Sequence, residues 1–98
     1  MSDLDETALV TLPRTLDASV AADLRGELMA LRGRPVRIDG AAVERFGGLC
    51  LQVLLAAAQT WGEDGLACRI EGASLAMVEA VRRLGASERL TISEEDLV

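Results

Sequence analysis

The side chains that could do chemistry here are two thiols, Cys50 and Cys68, a few hydroxyls and sixteen carboxylates. The chain has no histidine and no tyrosine. The commonest general acid–base residue is therefore missing. No Ser-His or Cys-His pair can form, and there is neither a phosphate loop nor a dinucleotide fingerprint. The two cysteines lack metal-ligand spacing, so no metal is expected, and they read as free thiols in a reducing compartment. Cys50 stands where a helix begins, a place that favours thiolate. Its competing role is that of a small packing residue. Asp39, at the end of a short apolar run, reads as a loop-bracing acceptor rather than a catalytic group. These residue types describe a non-enzyme without a cofactor.

The remaining chemistry is recognition, and it concentrates in Val36–Leu55, VRIDGAAVERFGGLCLQVLL. This stretch reads as a strand, a loop from Gly40, a Gly47-Gly48 hinge and an apolar helix. A helix start carries unpaired N–H groups, so a strand-to-helix junction is a frequent place for function. Gly47 and Gly48 allow either a tight turn or a close approach of a partner's backbone. Arg45 beside the loop reads as a solvated arginine or as a contact for an acidic partner. Gln52 lies one turn into the helix on its polar stripe.

The supporting elements follow from periodicity. Thr7–Leu12 is a strand ended by Pro13. Asp17 is the N-cap of a helix over Ala18–Leu31, with Val20, Leu24, Leu28 and Leu31 as its apolar stripe. Gly26 interrupts it at a cost of about 1 kcal/mol, which a close backbone approach would explain. Gly33 is the candidate C-cap. Val36–Asp39 forms the second strand, and Val43 and Phe46 tuck under the loop. The second helix runs Gly48–Gly62 with a wide apolar arc, whose flank at Leu49, Val53 and Trp61 is a candidate partner surface. Leu66–Ile70 is the third strand. A helix follows over Ser74–Leu84 with Leu75, Val78 and Val81, and further Met77 and Leu84, as candidates to face the core, and Gly85 ends it. Leu90–Ile92 is a last short strand, followed by a helical turn or acidic tail at Ser93–Asp96. Residues 1–6 are expected to fray.

The 98 residues make one domain, 1–98, large enough for a core without staples. Phe46 and Trp61 are the two aromatics, so Leu, Val, Ile and Ala must fill the core. A formal charge of −6 with no basic stripe argues against nucleic acid. The acidic start is unlike a signal peptide, and the longest apolar run, Val53–Ala58, is too short to span a bilayer. A cytoplasmic protein without direct membrane insertion is expected. The β-α-β-α-β-α-β order implies an α/β fold with a mostly parallel sheet of about four strands and helices mainly on one face.

Several of these stretches together resemble the STAS domain family, the anti-sigma-factor-antagonist-like proteins, over nearly the whole chain. LPRTLDASVAADL (Leu12–Leu24) resembles the family's second strand and the start of its first helix. Ile38-Asp39 through Val43 resembles its strand ending in aspartate. Leu51, Val53, Leu54 and Leu55 resemble the helix after its signature loop. The usual extra N-terminal strand is expected to be short or absent. The family's loop reads aspartate, Ser or Thr, a small residue or Ser, glycine, leucine. It falls here on Gly47, Gly48, Leu49, Cys50 and Leu51, and only the last leucine is kept. The hydroxyl that a kinase phosphorylates in such proteins corresponds to Gly48 or Leu49, neither of which can carry phosphate.

What the resemblance implies is a non-enzymatic protein-interaction module in bacterial cytosolic signalling, not switched at the usual hydroxyl. The expected contact residues are Arg45, Phe46, Gly47, Gly48, Leu49, Gln52 and Val53. The partner would be a kinase-like anti-sigma factor, a histidine kinase or a receiver protein of a chemotaxis-type pathway, and a homodimer is compatible with the sequence. The alternative is an accessory STAS subunit on the ATPase of a phospholipid-transport ABC complex. There the family's arginine-apolar-aspartate-threonine stretch agrees with Arg45-Phe46-Gly47-Gly48 only at its first two positions. A nucleotide-binding role is disfavoured by the acidic composition and the lack of a phosphate loop.

Overall fold

The computed structural model describes residues 7–86. The fraying expected at residues 1–6, the strand at Leu90–Ile92 and the turn at Ser93–Asp96 lie outside these residues. In chain order the elements are β1 (Ala8–Thr11), β2 (Thr15–Leu16), α1 (Ala18–Ala30), β3 (Val36–Asp39), β4 (Arg45–Phe46), α2 (Gly48–Glu63), β5 (Cys68–Glu71) and α3 (Leu75–Arg83). The architecture is α/β with parallel sheets, as the alternation requires.

Among the described residues the main sheet has three strands, in the order β1-β3-β5, all parallel; the expected fourth, Leu90–Ile92, lies outside them. A second, two-stranded parallel sheet joins β2 to β4. Segments of two residues carry no readable period, so the sequence shows Arg45-Phe46 only as loop.

Strand alternation sorts the main sheet into two faces. Ala8, Val10, Val36, Ile38 and Ile70 are buried beneath the helices. Leu9, Arg37 and Arg69 stand on the open face, where Arg37 Nη2 donates to Glu71 Oε1 at 2.8 Å. The helices therefore pack on one side.

Each helix has a local reason to start. Asp17 caps α1, accepting from the Ser19 backbone N–H at 2.9 Å. Ser74 caps α3, accepting from the Met77 N–H at 3.1 Å. Helix α1 ends at a Leu31 cap rather than at Gly33, which follows two residues later at φ +95°. Gly26 faces open space, so no close approach offsets its propensity cost. Leu75 is a correction. It is 73% exposed because the core face of α3 is Met77, Ala80 and Val81.

Candidate partner-binding site

The loop between β3 and α2 is tied down from three sides. From β3, Asp39 Oδ1 accepts from the Ala41 N–H at 2.9 Å, the bracing role its position suggests. Gly40 is the hub. Its N–H donates to Glu71 O at 3.2 Å, and its carbonyl accepts from Ser74 N–H at 3.0 Å and Val43 N–H at 3.3 Å. A Cβ at Gly40 would lie 2.6 Å from Met77 Sδ, so a larger residue here would force the buried Met77 side chain to shift. From α3, Ser74 Oγ donates to Val43 O at 2.6 Å. From β2 and the residue before it, the Arg14 carbonyl accepts from Glu44 N–H (2.7 Å) and Arg45 N–H (3.1 Å), while Leu16 O accepts from Gly47 N–H at 2.9 Å.

Helix α2 then begins with no side-chain cap at Gly47. Its first N–H groups therefore have no side-chain acceptor. Gly48, Leu49 and Gln52 are exposed, and Val53 and Gly47 are half-buried. Leu49 is 53% exposed, while Cys50 and Leu51 beside it are buried. Arg45 is exposed and takes part in none of the ion pairs among the described residues.

Two expected contacts are corrected. Phe46 is buried, 7% exposed, beneath the loop in the β2–β4 pair, so it holds the loop from below. Trp61 has no exposed surface; its Nε1–H donates to Arg34 O at 2.6 Å. Of the expected contacts on the loop and helix start, Arg45, Gly48, Leu49 and Gln52 are exposed; Val53 is half-buried towards α1, and the two aromatics are buried. A groove of about 440 Å³ flanks this surface, between Thr15–Gly47 segments and α3, with Glu44, Arg45, Glu79 and Arg83 along it. Sequence reasoning missed both the β2–β4 pair and the Ser74 tether. The tether had one legible sign: a serine at a helix start is a recognised cap.

The thiols are not activated. Burial pushes the Cys50 thiol up, and the nearby Asp17 charge adds to this. Its Sγ lies 3.4 Å from Asp17 O. Burial also pushes the Cys68 thiol up. Cys68 is half-buried and Cys50 fully buried. Thiol titration with a disulfide reagent at pH 8 is therefore expected to count about one reactive thiol in the native protein and about two after urea unfolding. Cys68→Ser should remove the native reaction; fast native labelling of that variant would overturn this assignment.

The Asp17 carboxyl sits below its usual range, chiefly through the hydrogen bond from the Ser19 hydroxyl and then that from the Ser19 N–H. Every polar side chain described is at least partly exposed. No group of His, Cys, Asp and Glu among the described residues could hold a metal ion, and no helix there is long and apolar enough to cross a membrane.

With this geometry in view, the relatives can be named. A family model described as "Mlab, STAS domain" matches residues 2–94. The chain belongs to the STAS domain family. A crystal structure titled as a sulfate transporter family protein from Wolinella succinogenes has the same fold, with TM-score 0.68 and 18% identity over 94% of this chain and 82% of that one. No curated protein matches the chain.

Proposed function

We propose that this STAS domain is a non-enzymatic docking module that binds a protein partner through the β3–α2 loop and the first turns of α2. The observation that carries this reading is Leu49, left 53% exposed next to Gly47-Gly48 at a helix start without a side-chain cap. An exposed leucine flanked by backbone that can be approached closely is a fitting contact point. Gly48 and Leu49 lack a hydroxyl, so the interaction would not be switched by serine or threonine phosphorylation in this loop. Bacterial cytosolic signalling is the setting proposed, with a kinase-like anti-sigma factor, histidine kinase or receiver protein as partner.

A second reading is an accessory subunit on the ATPase of a phospholipid-transport ABC complex. The match to the family described as "Mlab, STAS domain" and the likeness to a sulfate transporter family protein favour it. Both readings use the same surface and differ in the partner.

A pull-down from native cytosol with wild type and Leu49→Asp tests both. Leu49 is exposed, so the variant should stay folded, with stability within about 0.5 kcal/mol of wild type. A central contact truncated this way is expected to lose about 2 kcal/mol or more of binding, roughly thirty-fold. Capture of a kinase or receiver by wild type and its loss in the variant supports signalling. Capture of an ATPase lost in the same way supports the transport reading. Equal capture by both proteins removes the loop from the interface.

A further inference from the structure

Ser74 bonds to both ends of the turn that opens the β3–α2 loop. The Gly40 carbonyl accepts from Val43 N–H at 3.3 Å, which closes a turn over residues 40–43. That carbonyl also accepts from the Ser74 N–H at 3.0 Å. At the far end of the turn, the Val43 carbonyl accepts from Ser74 Oγ at 2.6 Å. One residue thus supplies a donor to each end. The Val43 side chain is buried, and Glu44 leads straight from it into β4. The course of the loop towards Gly47 and α2 is set where this turn ends.

The Ser74 hydroxyl has a second bond, accepting from Met77 N–H at 3.1 Å as the N-cap of α3. A cap needs only an acceptor. The single hydroxyl proton goes to the loop instead. Under the turn, the fully buried Met77 packs with its Sδ 2.6 Å from where a Gly40 Cβ would stand. The first turn of α3 and the start of the loop are therefore one packed unit, although 31 residues separate Val43 from Ser74.

We infer that Ser74 is a positioning residue for the docking loop: its hydroxyl proton, held on the Val43 carbonyl, fixes the path by which the loop brings Arg45 and the start of α2 to a partner. This rests on the docking reading above. It adds a residue on a different element that governs binding through the loop.

The test separates the two bonds of the hydroxyl. Ser74→Asp keeps an N-cap acceptor and has no proton to donate at neutral pH. Ser74→Gly removes the side chain at little cost to the helix start. Ser74→Thr keeps both bonds. Native-state amide exchange reads the loop and α3 apart. In Ser74→Asp and Ser74→Gly the Val43, Glu44 and Arg45 amides should exchange about ten-fold faster. In Ser74→Asp the Val78 and Leu84 amides of α3, which bond to Ser74 O and Ala80 O, should keep their wild-type rates. The kinase, receiver or ATPase captured by wild type should bind these two variants about ten-fold more weakly, because the loop must then be ordered on binding. Ser74→Thr should match wild type in both measurements. A purely capping role predicts wild-type exchange and capture in Ser74→Asp, and that result overturns the inference, as does loss of capture in Ser74→Thr, which keeps the proton. If the loop amides speed up but Ser74→Asp captures the partner fully while Leu49→Asp loses it, the docking reading stands and Ser74 is not its positioning residue. If Leu49→Asp and Ser74→Asp both capture it fully, the docking reading falls and takes this inference with it.

Discussion

Trp61→Ala is expected to destabilise the domain by about 3–5 kcal/mol, the usual cost of emptying a buried aromatic site. Trp61 is the largest of the fully buried side chains. It sits on the inner face of α2 near the end of that helix, and its indole N–H satisfies the Arg34 carbonyl at 2.6 Å. The substitution removes packing and breaks that hydrogen bond, a further loss of about 0.5–1.5 kcal/mol. Small domains are stable by about 5–15 kcal/mol, so the variant should stand near the edge of unfolding. Trp61→Phe keeps most of the volume and loses the hydrogen bond, and should fall between the two. Urea unfolding followed by far-ultraviolet circular dichroism measures all three, since the variants lack the one tryptophan that would report by fluorescence. A Trp61→Ala loss below about 1.5 kcal/mol would mean that this end of α2 is not packed as described.

Trp61 also shows where sequence reading stops. The apolar arc of α2 is visibly wider than a surface helix needs, so the chain announces a helix with two demands on it. Periodicity cannot say which flank meets the core. Cys50, Leu51, Leu54, Ala57 and Trp61 turn inward and Leu49 outward. That division depends on where α1 lies, which is a tertiary fact. The same holds for α3, where Leu75 looks like a core residue in the sequence but starts the helix on its outer side, leaving Met77, Ala80 and Val81 to pack.

Strands β1, β3 and β5 were legible because each has an apolar alternation long enough to read. The β2–β4 pair was not. Its four residues are held mainly by backbone hydrogen bonds and by the burial of Leu16 and Phe46, which no local pattern displays. The loop's location at the β3–α2 junction was readable from Asp39, Gly47 and Gly48. Its support was not, because Ser74 and Met77 reach it from thirty residues further along the chain.

That hidden support sets the expectation for Phe46. Phe46→Ala should destabilise the fold by about 3–5 kcal/mol, because the ring is buried against the core and pairs with Leu16 in β2–β4. Phe46→Leu keeps an apolar side chain of similar reach and should cost about 1.5 kcal/mol or less. The two substitutions separate positioning from contact. If Phe46 only holds the loop from below, Phe46→Leu stays folded and retains most partner capture, whereas the equally folded Leu49→Asp loses it. If the ring itself touches the partner, Phe46→Leu loses capture while its urea midpoint stays close to wild type. The first pattern follows from the 7% exposure of Phe46, because a side chain with almost no surface in the free domain gives a partner little to hold unless the loop opens. Opening is opposed by the carbonyls of Arg14 and Leu16, which bind the N–H groups on either side of Phe46, at Arg45 and Gly47, so the backbone there is fixed before any partner arrives. A preorganised loop places its ordering cost in folding rather than in binding, which is what the proposed docking through Leu49 and the start of α2 requires.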